Sequence, residues 1–248
     1  MPSRIQIEIC VDSLQSVFAA AGGGAHRLEL CQNLFEGGTT PSYGLLRLTL
    51  RATDLPVFVM IRPRGADFCY SDEEFGVMQE DLHMARELGA DGIVTGILKA
   101  DGSIDVRRMR KLMDLAGPVP VTFHRAFDVT SDPRRSLETL VDLGVARVLT
   151  SGQERSVLEG ADLIAELVKR AGKRIIVVPG GGITERNFVK IQKLTNAVEF
   201  HLSASAPVES RMKHRNTRVP MGRELRASEF GWTAADPRRI ASLVQLAS

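Results

Sequence analysis

The stretch IIVVPGGG (175–182) joins a short run of β-branched residues to three consecutive glycines. A run of this kind, bounded by turn-forming residues, predicts a β-strand. Seven further β-rich runs end in polar residues, and stretches with the spacing of an amphipathic helix separate them. These runs are IQIEICVD (5–12), RLELCQ (27–32), VFVMIRPR (57–64), GIVTGIL (92–98), VTFHRAFD (121–128), RVLTSG (147–152) and VEFHLSAS (198–205).

Alternating strands and helices fit either a closed barrel or an open, doubly wound sheet. Eight units favour closure. The open sheet would also carry its phosphate-binding glycines after the first strand, whereas Gly180 to Gly182 follow the seventh. Helix starts are marked by Ser71 with Glu74 and by the Asp-Pro steps at 132–133 and 236–237. The sequence therefore predicts an α/β fold with one domain, residues 1–248, folded as a (β/α)8 TIM barrel.

The composition excludes several classes of protein. Of the 248 residues, 44% are hydrophobic, and 32 basic against 30 acidic residues leave a formal net charge of +2. That balance favours neither nucleic acid nor a membrane surface as a partner. No apolar run approaches the roughly 20 residues of a membrane-spanning helix. The spacing of Cys10, Cys31 and Cys69 argues against a disulfide framework or a zinc finger, so we expect a cytoplasmic protein.

Because side chains alternate between the two faces of a strand, each run divides into an outward and an inward set. The outward set is apolar. The inward set comprises Glu8, Cys10, Asp12, Glu29, Cys31, Phe58, Met60, Arg62, Arg64, Thr122, His124, Glu199, His201 and Ser203. Charged side chains inside a barrel must be paired with opposite charges or must take part in binding or catalysis, because an isolated buried charge is costly. These residues therefore either form a neutralised network, with Glu8 and Glu29 against Arg62, or line a functional site.

Barrel enzymes carry their chemistry at the carboxyl ends of the strands. The long loop RPRGADFCYSDEE (62–74) places Arg64, Asp67 and Tyr70 above these strand ends. The loop NLFEGGTTPS (33–42) places Glu36 in the same region. The catalytic candidates are Glu8, Glu29, Arg62, Arg64, Asp67, His124, Asp128 and His201. In this hypothesis His124 or Glu29 is the general acid or base. Arg62 and Arg64 would clamp an anion.

A second candidate site follows strands seven and eight, where many barrels bind phosphate through backbone N–H groups. Its anion-binding residues would be Gly180, Gly181, Gly182, Ser203, Ala204 and Ser205. The alternative is a purely structural turn from strand to helix.

Cys10 and Cys31 occupy matching positions in the first two runs. Their sulfurs could share a soft metal, and two thiolates suit Cu(I). The alternative is that both are small, inert core residues, as buried cysteines usually are. Cys69 lies in a loop and is expected to be exposed and incidental.

Several longer strings carry a resemblance to known proteins: EICVDS (8–13), LELC (28–31), EGGTTPS (36–42), IRPRGADFCYSDEE (61–74), VTFHRAFD (121–128), RVLTSG (147–152) and PGGGIT (179–184). Together they closely resemble the CutC family, from about residue 5 to beyond residue 220, including MKHRN (212–216). The resemblance implies a TIM barrel, a cytoplasmic setting, a homo-oligomer such as a dimer or tetramer, and a role in copper homeostasis. The copper-binding cysteines of the family would correspond to Cys10 and Cys31.

Two functions stay open. The first is copper homeostasis, with Cu(I) bound by Cys10 and Cys31 and helped by His124 or His201. The second is a TIM-barrel enzyme with isomerase-like or lyase-like acid–base chemistry on a small anionic or phosphorylated metabolite, because copper binding does not explain the converging charges. No lysine occupies a predicted inward position, which disfavours Schiff-base chemistry. The segment 206–232 could close over the pocket or form a subunit contact.

Overall fold

The computed structural model describes residues 5–216, 218 and 231–248. The strands of its main sheet are β1 (Gln6–Val11), β2 (Arg27–Leu30), β3 (Val57–Met60), β4 (Gly92–Thr95), β5 (Val121–Phe123), β6 (Arg147–Thr150), β7 (Ile176–Pro179) and β8 (Glu199–Leu202). The α-helices are α1 (Leu14–Gly22), α2 (Tyr43–Ala52), α3 (Asp72–Glu87), α4 (Val106–Ala116), α5 (Pro133–Asp142), α6 (Ala161–Ala171), α7 (Phe188–Thr195) and α8 (Pro237–Leu246). Short 3-10 helices, Leu34–Glu36 and Arg125–Val129, follow β2 and β5.

Neighbouring strands of the main sheet pair in parallel, in the order β7-β6-β5-β4-β3-β2-β1-β8. A parallel bridge between Gly180 and His201 joins the two ends of this order, so the sheet closes. Each of the eight predicted runs contains one strand, and the (β/α)8 TIM barrel is confirmed. Some strands end before the last polar residues of their runs, so that Arg62 and Arg64 follow β3 and His124 follows β5 at the carboxyl end of the barrel.

The two faces of the strands contribute to separate clusters. Outward residues such as Ile7 and Ile9 are fully buried in the core between the strands and the helices. Inside the barrel, a second cluster consists of Cys10, Cys31, Phe58, Met60 and Val94. The alternation of faces therefore places the residues as the sequence predicts.

The helices begin at the expected caps. Ser71 and Glu74 form a reciprocal capping box at the start of α3. The side chains of Asp132 and Asp236 accept N–H groups at the starts of α5 and α8, each followed by a proline at the first helical position. Within the described ranges, no helix has the length and the apolar character needed to cross a bilayer.

A hairpin that no sequence pattern predicted follows β8. Its antiparallel strands are β9 (Ser205–Glu209) and β10 (Gly231–Ala235). The N–H of Ala235 donates to Ser16 Oγ at 3.1 Å, and the N–H of Asp236 donates to the carbonyl of Ala204 at 2.9 Å. The base of the hairpin is thus fixed beside the carboxyl end of β8. Residues 217 and 219–230 of the segment 206–232 lie outside the described part of the chain.

Candidate functional site

A cavity of about 420 Å³ lies at the carboxyl ends of the barrel strands. The predicted candidates that line it are Cys10, Glu29, Arg62, His124, Gly180, Gly181, Gly182, His201, Ser203 and Ala204. Residues without a predicted role also line it, among them Met60, Phe68, Arg125 and Arg239. Parts of the predicted catalytic and anion-binding sets therefore share one cavity.

Below the cavity, an ionic network crosses the barrel interior. Arg27 Nε lies 2.5 Å from Glu8 Oε2, and Arg27 Nη2 lies 2.8 Å from Glu199 Oε2. Arg147 Nε lies 2.9 Å from the same Glu199 oxygen. The ring of Phe58 packs beneath both guanidinium groups, 4.7 Å from that of Arg27 and 5.3 Å from that of Arg147. The network neutralises Glu8 through Arg27, so the alternative in which Arg62 pairs with Glu8 and Glu29 is wrong.

Glu8 also reaches the cavity through His201. Its Oε1 lies 2.7 Å from His201 Nδ1. Burial favours the neutral acid, but the hydrogen bond from His201 and the charge of Arg27 outweigh it and lower the pKa of Glu8 to about 2. Burial also opposes the charge on His201, yet the acids Glu29 and Glu8 raise the pKa of this imidazole well above its ordinary value. The two residues form a buried ion pair.

Two thiols and a carboxyl group meet at the floor of the cavity. The sulfurs of Cys10 and Cys31 are 3.7 Å apart, and Glu29 Oε1 lies 3.6 Å from the first and 3.3 Å from the second. The hydrogen bond from Cys31 lowers the pKa of Cys10 to about 6 against the effect of burial, whereas that of Cys31 is raised well above its usual range. Burial raises the pKa of Glu29 to about 8. Near neutral pH, Cys10 is therefore the preferred site of negative charge in this group.

Met60 faces the inside of the barrel, as strand alternation predicts, but no sequence pattern indicated a role for it. In the structure it belongs to the same interior cluster as Cys10 and Cys31, and it lines the cavity. Its thioether adds a third soft sulfur to this region. The inward-facing position of Met60 on β3 is the sequence feature from which this location could have been predicted.

Arg62 is 4% exposed and forms the β3 side of the cavity. It donates to the carbonyl oxygens of Glu36 at 2.9 Å, Gly38 at 2.8 Å and Ala66 at 2.9 Å. Its guanidinium carbon lies 4.8 Å from the ring centroid of Phe68. These contacts anchor the two long loops, 33–42 and 62–74, because carbonyl oxygens of both loops accept hydrogen bonds from the same guanidinium group. They also explain why Arg62 turns away from the interior acids.

His124, which is 3% exposed, follows β5. Its Nδ1 accepts the N–H of Ala126 at 3.2 Å. Burial, followed by the charge of Arg62, lowers the pKa of His124 to about 3, so the ring is neutral at physiological pH. A glycine at position 96 makes room for it, because a Cβ there would lie 2.7 Å from His124 Cε1.

Some predicted residues lie outside the cavity lining. Arg64 is paired at the surface with Glu74 at 2.5 Å and with exposed Asp67 at 3.1 Å. Asp128 accepts hydrogen bonds from the backbone of Ser151 at 3.0 Å and pairs with Arg125 at 2.7 Å. Of the remaining candidates, Glu8 and Cys31 lie deeper, and Ser205 belongs to β9.

The glycines after β7 shape one side of the cavity. A side chain at Gly180 would meet Leu149 Cδ1 at 2.5 Å, and Gly181 has a φ of +124° that favours glycine. Arg125 lies beside this segment, with its Nη1 3.4 Å from the position of a Cβ on Gly181. Arg239 lies on the same cavity and is paired with Glu185 at 2.7 Å. Neither arginine was singled out from the sequence, although Arg125 stands in the VTFHRAFD run.

Comparison with known proteins gives consistent matches. A family model described as the CutC family matches residues 5–206. The chain is 50% identical over 241 residues to a human protein named copper homeostasis protein cutC homolog, which covers 97% of this chain and 88% of the human one. It is 48% identical over 239 residues to a CutC family protein of Parabacteroides distasonis, covering 96% of this chain and 98% of that one.

Solved structures show the same relationship. A structure described as that of a CutC copper homeostasis protein from Streptococcus agalactiae has a TM-score of 0.76 and 37% identity, covering 80% of this chain and 98% of that one. N-(5'-phosphoribosyl)anthranilate isomerase from Pyrococcus furiosus has a TM-score of 0.55 and 15% identity, covering 98% of each chain. At that identity the likeness concerns the barrel fold alone.

Proposed function

The chain belongs to the CutC family, and from this premise we propose that it binds Cu(I) through Cys10 and Cys31 as a cytoplasmic copper homeostasis protein. The observation that carries the proposal is the 3.7 Å distance between the two sulfurs. Cu(I) is a soft cation, and thiolates are its preferred ligands. A reducing compartment suits this role because Cys10 and Cys31 must stay free thiols, as they are here.

The neighbours of the thiols support a cation at this position. Glu29 Oε1 lies near both sulfurs, and ligand atoms of Cys10, Glu29 and Cys31 all lie within 4.8 Å of one another. Met60 brings a thioether to the same cluster. His124 belongs to neither of the two potential ligand groups in the described chain, whereas His201 is grouped with Glu8 and Glu29. His201 is therefore the imidazole closer to the proposed site.

The charges of the interior also fit bound Cu(I). The interior network contains three cations, Arg27, Arg147 and His201, and they pair with only two carboxylates, Glu8 and Glu199. This leaves one excess positive charge beside the thiols when Glu29 is protonated. The Cys10 thiolate already balances this charge in the metal-free protein. Two thiolates holding Cu(I) carry the same single net negative charge, so copper would bind without unbalancing the interior.

The test is a Cu(I) titration under anaerobic, reducing conditions against a chromophoric chelator. We expect the parent protein to withdraw one Cu(I) per chain from the chelator. Cys10→Ser/Cys31→Ser should withdraw none, and Cys69→Ser, which changes an exposed cysteine, should behave like the parent. Copper uptake that survives the double substitution would refute the proposed site.

A specific observation favours a second candidate, an enzyme that carries out acid–base chemistry on a small anionic metabolite. Glu29 lines the cavity, and its buried Oε2 makes no hydrogen bond within the described chain. Because a pKa of about 8 leaves a fraction of the Glu29 carboxyl groups ionised near neutral pH, this oxygen can accept a proton from a bound molecule, and the protonated fraction can return one. No lysine is among the described residues that line the cavity, which agrees with proton transfer beside a carbonyl rather than Schiff-base chemistry.

This second function is tested by identifying small molecules released from the purified protein by denaturation. Mass spectrometry should find an organic anion among them. In D2O, the native protein should replace a carbon-bound hydrogen of that anion with deuterium. Glu29→Gln should abolish that exchange. Exchange at the parental rate in Glu29→Gln would exclude Glu29 as the acid–base group.

A further inference from the structure

Two buried nitrogen atoms on the β3 and β5 side of the cavity make no hydrogen bond within the described chain. They are Arg62 Nε and His124 Nε2. A buried N–H that lacks an acceptor destabilises the folded protein. Both residues line the same cavity, so a small rotation of either side chain would bring its nitrogen, now closed off from solvent, to an acceptor on a bound molecule.

The charge of Arg62 is also uncompensated. The hydrogen bonds of its guanidinium go to three carbonyl oxygens, the ring of Phe68 and the hydroxyl of Tyr70 lie beside it, and it forms no salt bridge with the acids of the described ranges. Carbonyl oxygens satisfy donors but do not neutralise a charge. A buried cation in this state attracts an anion from solution.

His124 presents a donor to the same space. Because Nδ1 accepts the N–H of Ala126, the neutral ring carries its proton on Nε2. The ring centroid lies 4.9 Å from that of Phe68, and the guanidinium carbon of Arg62 lies 4.8 Å from it. The two donor groups therefore flank one aromatic ring.

We propose that Arg62 and His124 form an anion subsite that holds the carboxylate of a small organic acid, with Arg62 Nε and His124 Nε2 as the two N–H donors. One carboxylate carries one negative charge, which matches the charge of Arg62. Its two oxygens can accept from two separate donors. This inference rests on the second proposed function and names its class of substrate.

Tyr70 offers a competing explanation. Its buried hydroxyl lies close enough to Arg62 for the charge and a hydrogen bond of that guanidinium to oppose the effect of burial on its pKa, although no hydrogen bond of ordinary length and angle forms between them. A small rotation would let the hydroxyl accept from Arg62 Nε. Tyr70→Phe separates the two possibilities, because it removes this acceptor and leaves the proposed subsite intact.

The experiment uses pyruvate as a monocarboxylate probe and inorganic phosphate as the alternative anion, at matched ionic strength and without copper. Calorimetry should detect saturable pyruvate binding, and the Nε2–H resonance of His124 should shift. Arg62→Gln should weaken binding about tenfold or more. Arg134→Gln, which changes an exposed arginine on α5, and Tyr70→Phe should bind as the parent does.

Because Arg62 also anchors two loops, His124→Phe gives an independent test that leaves those carbonyl contacts in place, and it should lower pyruvate affinity comparably. Parental affinity in Arg62→Gln and His124→Phe, or binding of phosphate without pyruvate, would overturn the subsite. Copper and turnover play no part in this measurement. Its failure is therefore distinct from failure of the Cu(I) titration or of the exchange assay.

Discussion

His201 Nδ1 lies 2.7 Å from Glu8 Oε1, which joins the last strand of the barrel to the first. The strand register brings the residues together, because Glu8 of β1 is opposite His201 of β8 and opposite Arg27 of β2. Glu8 thus connects the ionic network of the interior to the cavity. The proposed copper and anion sites lie above this connection.

Removing one partner of this ion pair should be costly. In His201→Gln we expect the free energy of unfolding to fall by about 3–5 kcal/mol, because the substitution leaves a buried carboxylate short of one cation. Urea unfolding measures the change. His83→Gln is the matched control, since His83 forms an exposed pair with Glu87, and it should change stability by less than about 1 kcal/mol. Equal effects of the two substitutions would contradict a buried ion pair.

Glu29 should make the metal-free protein less stable as the pH rises through neutrality. Burial raises its pKa from 4.5 to about 8, so between these values the folded protein holds a proton that the unfolded chain has released. The free energy of unfolding therefore falls as the pH rises from about 4.5 to about 8.

Glu29→Gln imitates the protonated acid and should remove at least about 1 kcal/mol of this decline. The measurement is urea unfolding at several pH values across that interval. Glu87→Gln, at an exposed position on α3, should keep the parental dependence. A parental slope in Glu29→Gln would show that the carboxyl group is ionised in the folded protein.

Gly96 should be required for the position of His124. In Gly96→Ala the new Cβ would lie 2.7 Å from Cε1 and 2.8 Å from Nδ1 of the imidazole. We expect a loss of about 1–3 kcal/mol in stability and weaker pyruvate binding, because the ring must move. Gly76→Ala is the opposite control, since nothing lies within 4 Å of that Cβ on α3, and it should stabilise by about 0.5–1 kcal/mol. Thermal melting and calorimetry distinguish the two, and unchanged binding in Gly96→Ala would refute the positioning role.

The inward positions of Cys10, Cys31 and Glu29 could be predicted because the pleat of a strand fixes alternate faces. Arg27 precedes Glu29 by two residues, so the same alternation predicts that it faces inward. Its ion pair with Glu8, however, depends on the register between β1 and β2. Hydrophobic periodicity does not encode that register. The sequence alone therefore left Arg62 as one possible partner of these acids.

Loop residues were less predictable than strand residues. Arg64 and Asp67 follow β3 closely in the sequence, but their loop turns them toward Glu74 and the surface. Ser205 lies in a hairpin that pairs with residues about 30 positions later in the chain. Such contacts depend on tertiary packing, which the local pattern of residues does not specify.

The copper proposal is tested most directly by X-ray absorption at the copper edge of the protein loaded with one Cu(I) per chain. Binding by Cys10 and Cys31 predicts two sulfur ligands, both lost in Cys10→Ser/Cys31→Ser and both kept in Cys69→Ser. If Met60 also binds, Met60→Leu should remove a third sulfur and leave these two. A copper environment of nitrogen and oxygen alone, or one that the double substitution leaves unchanged, would contradict the account.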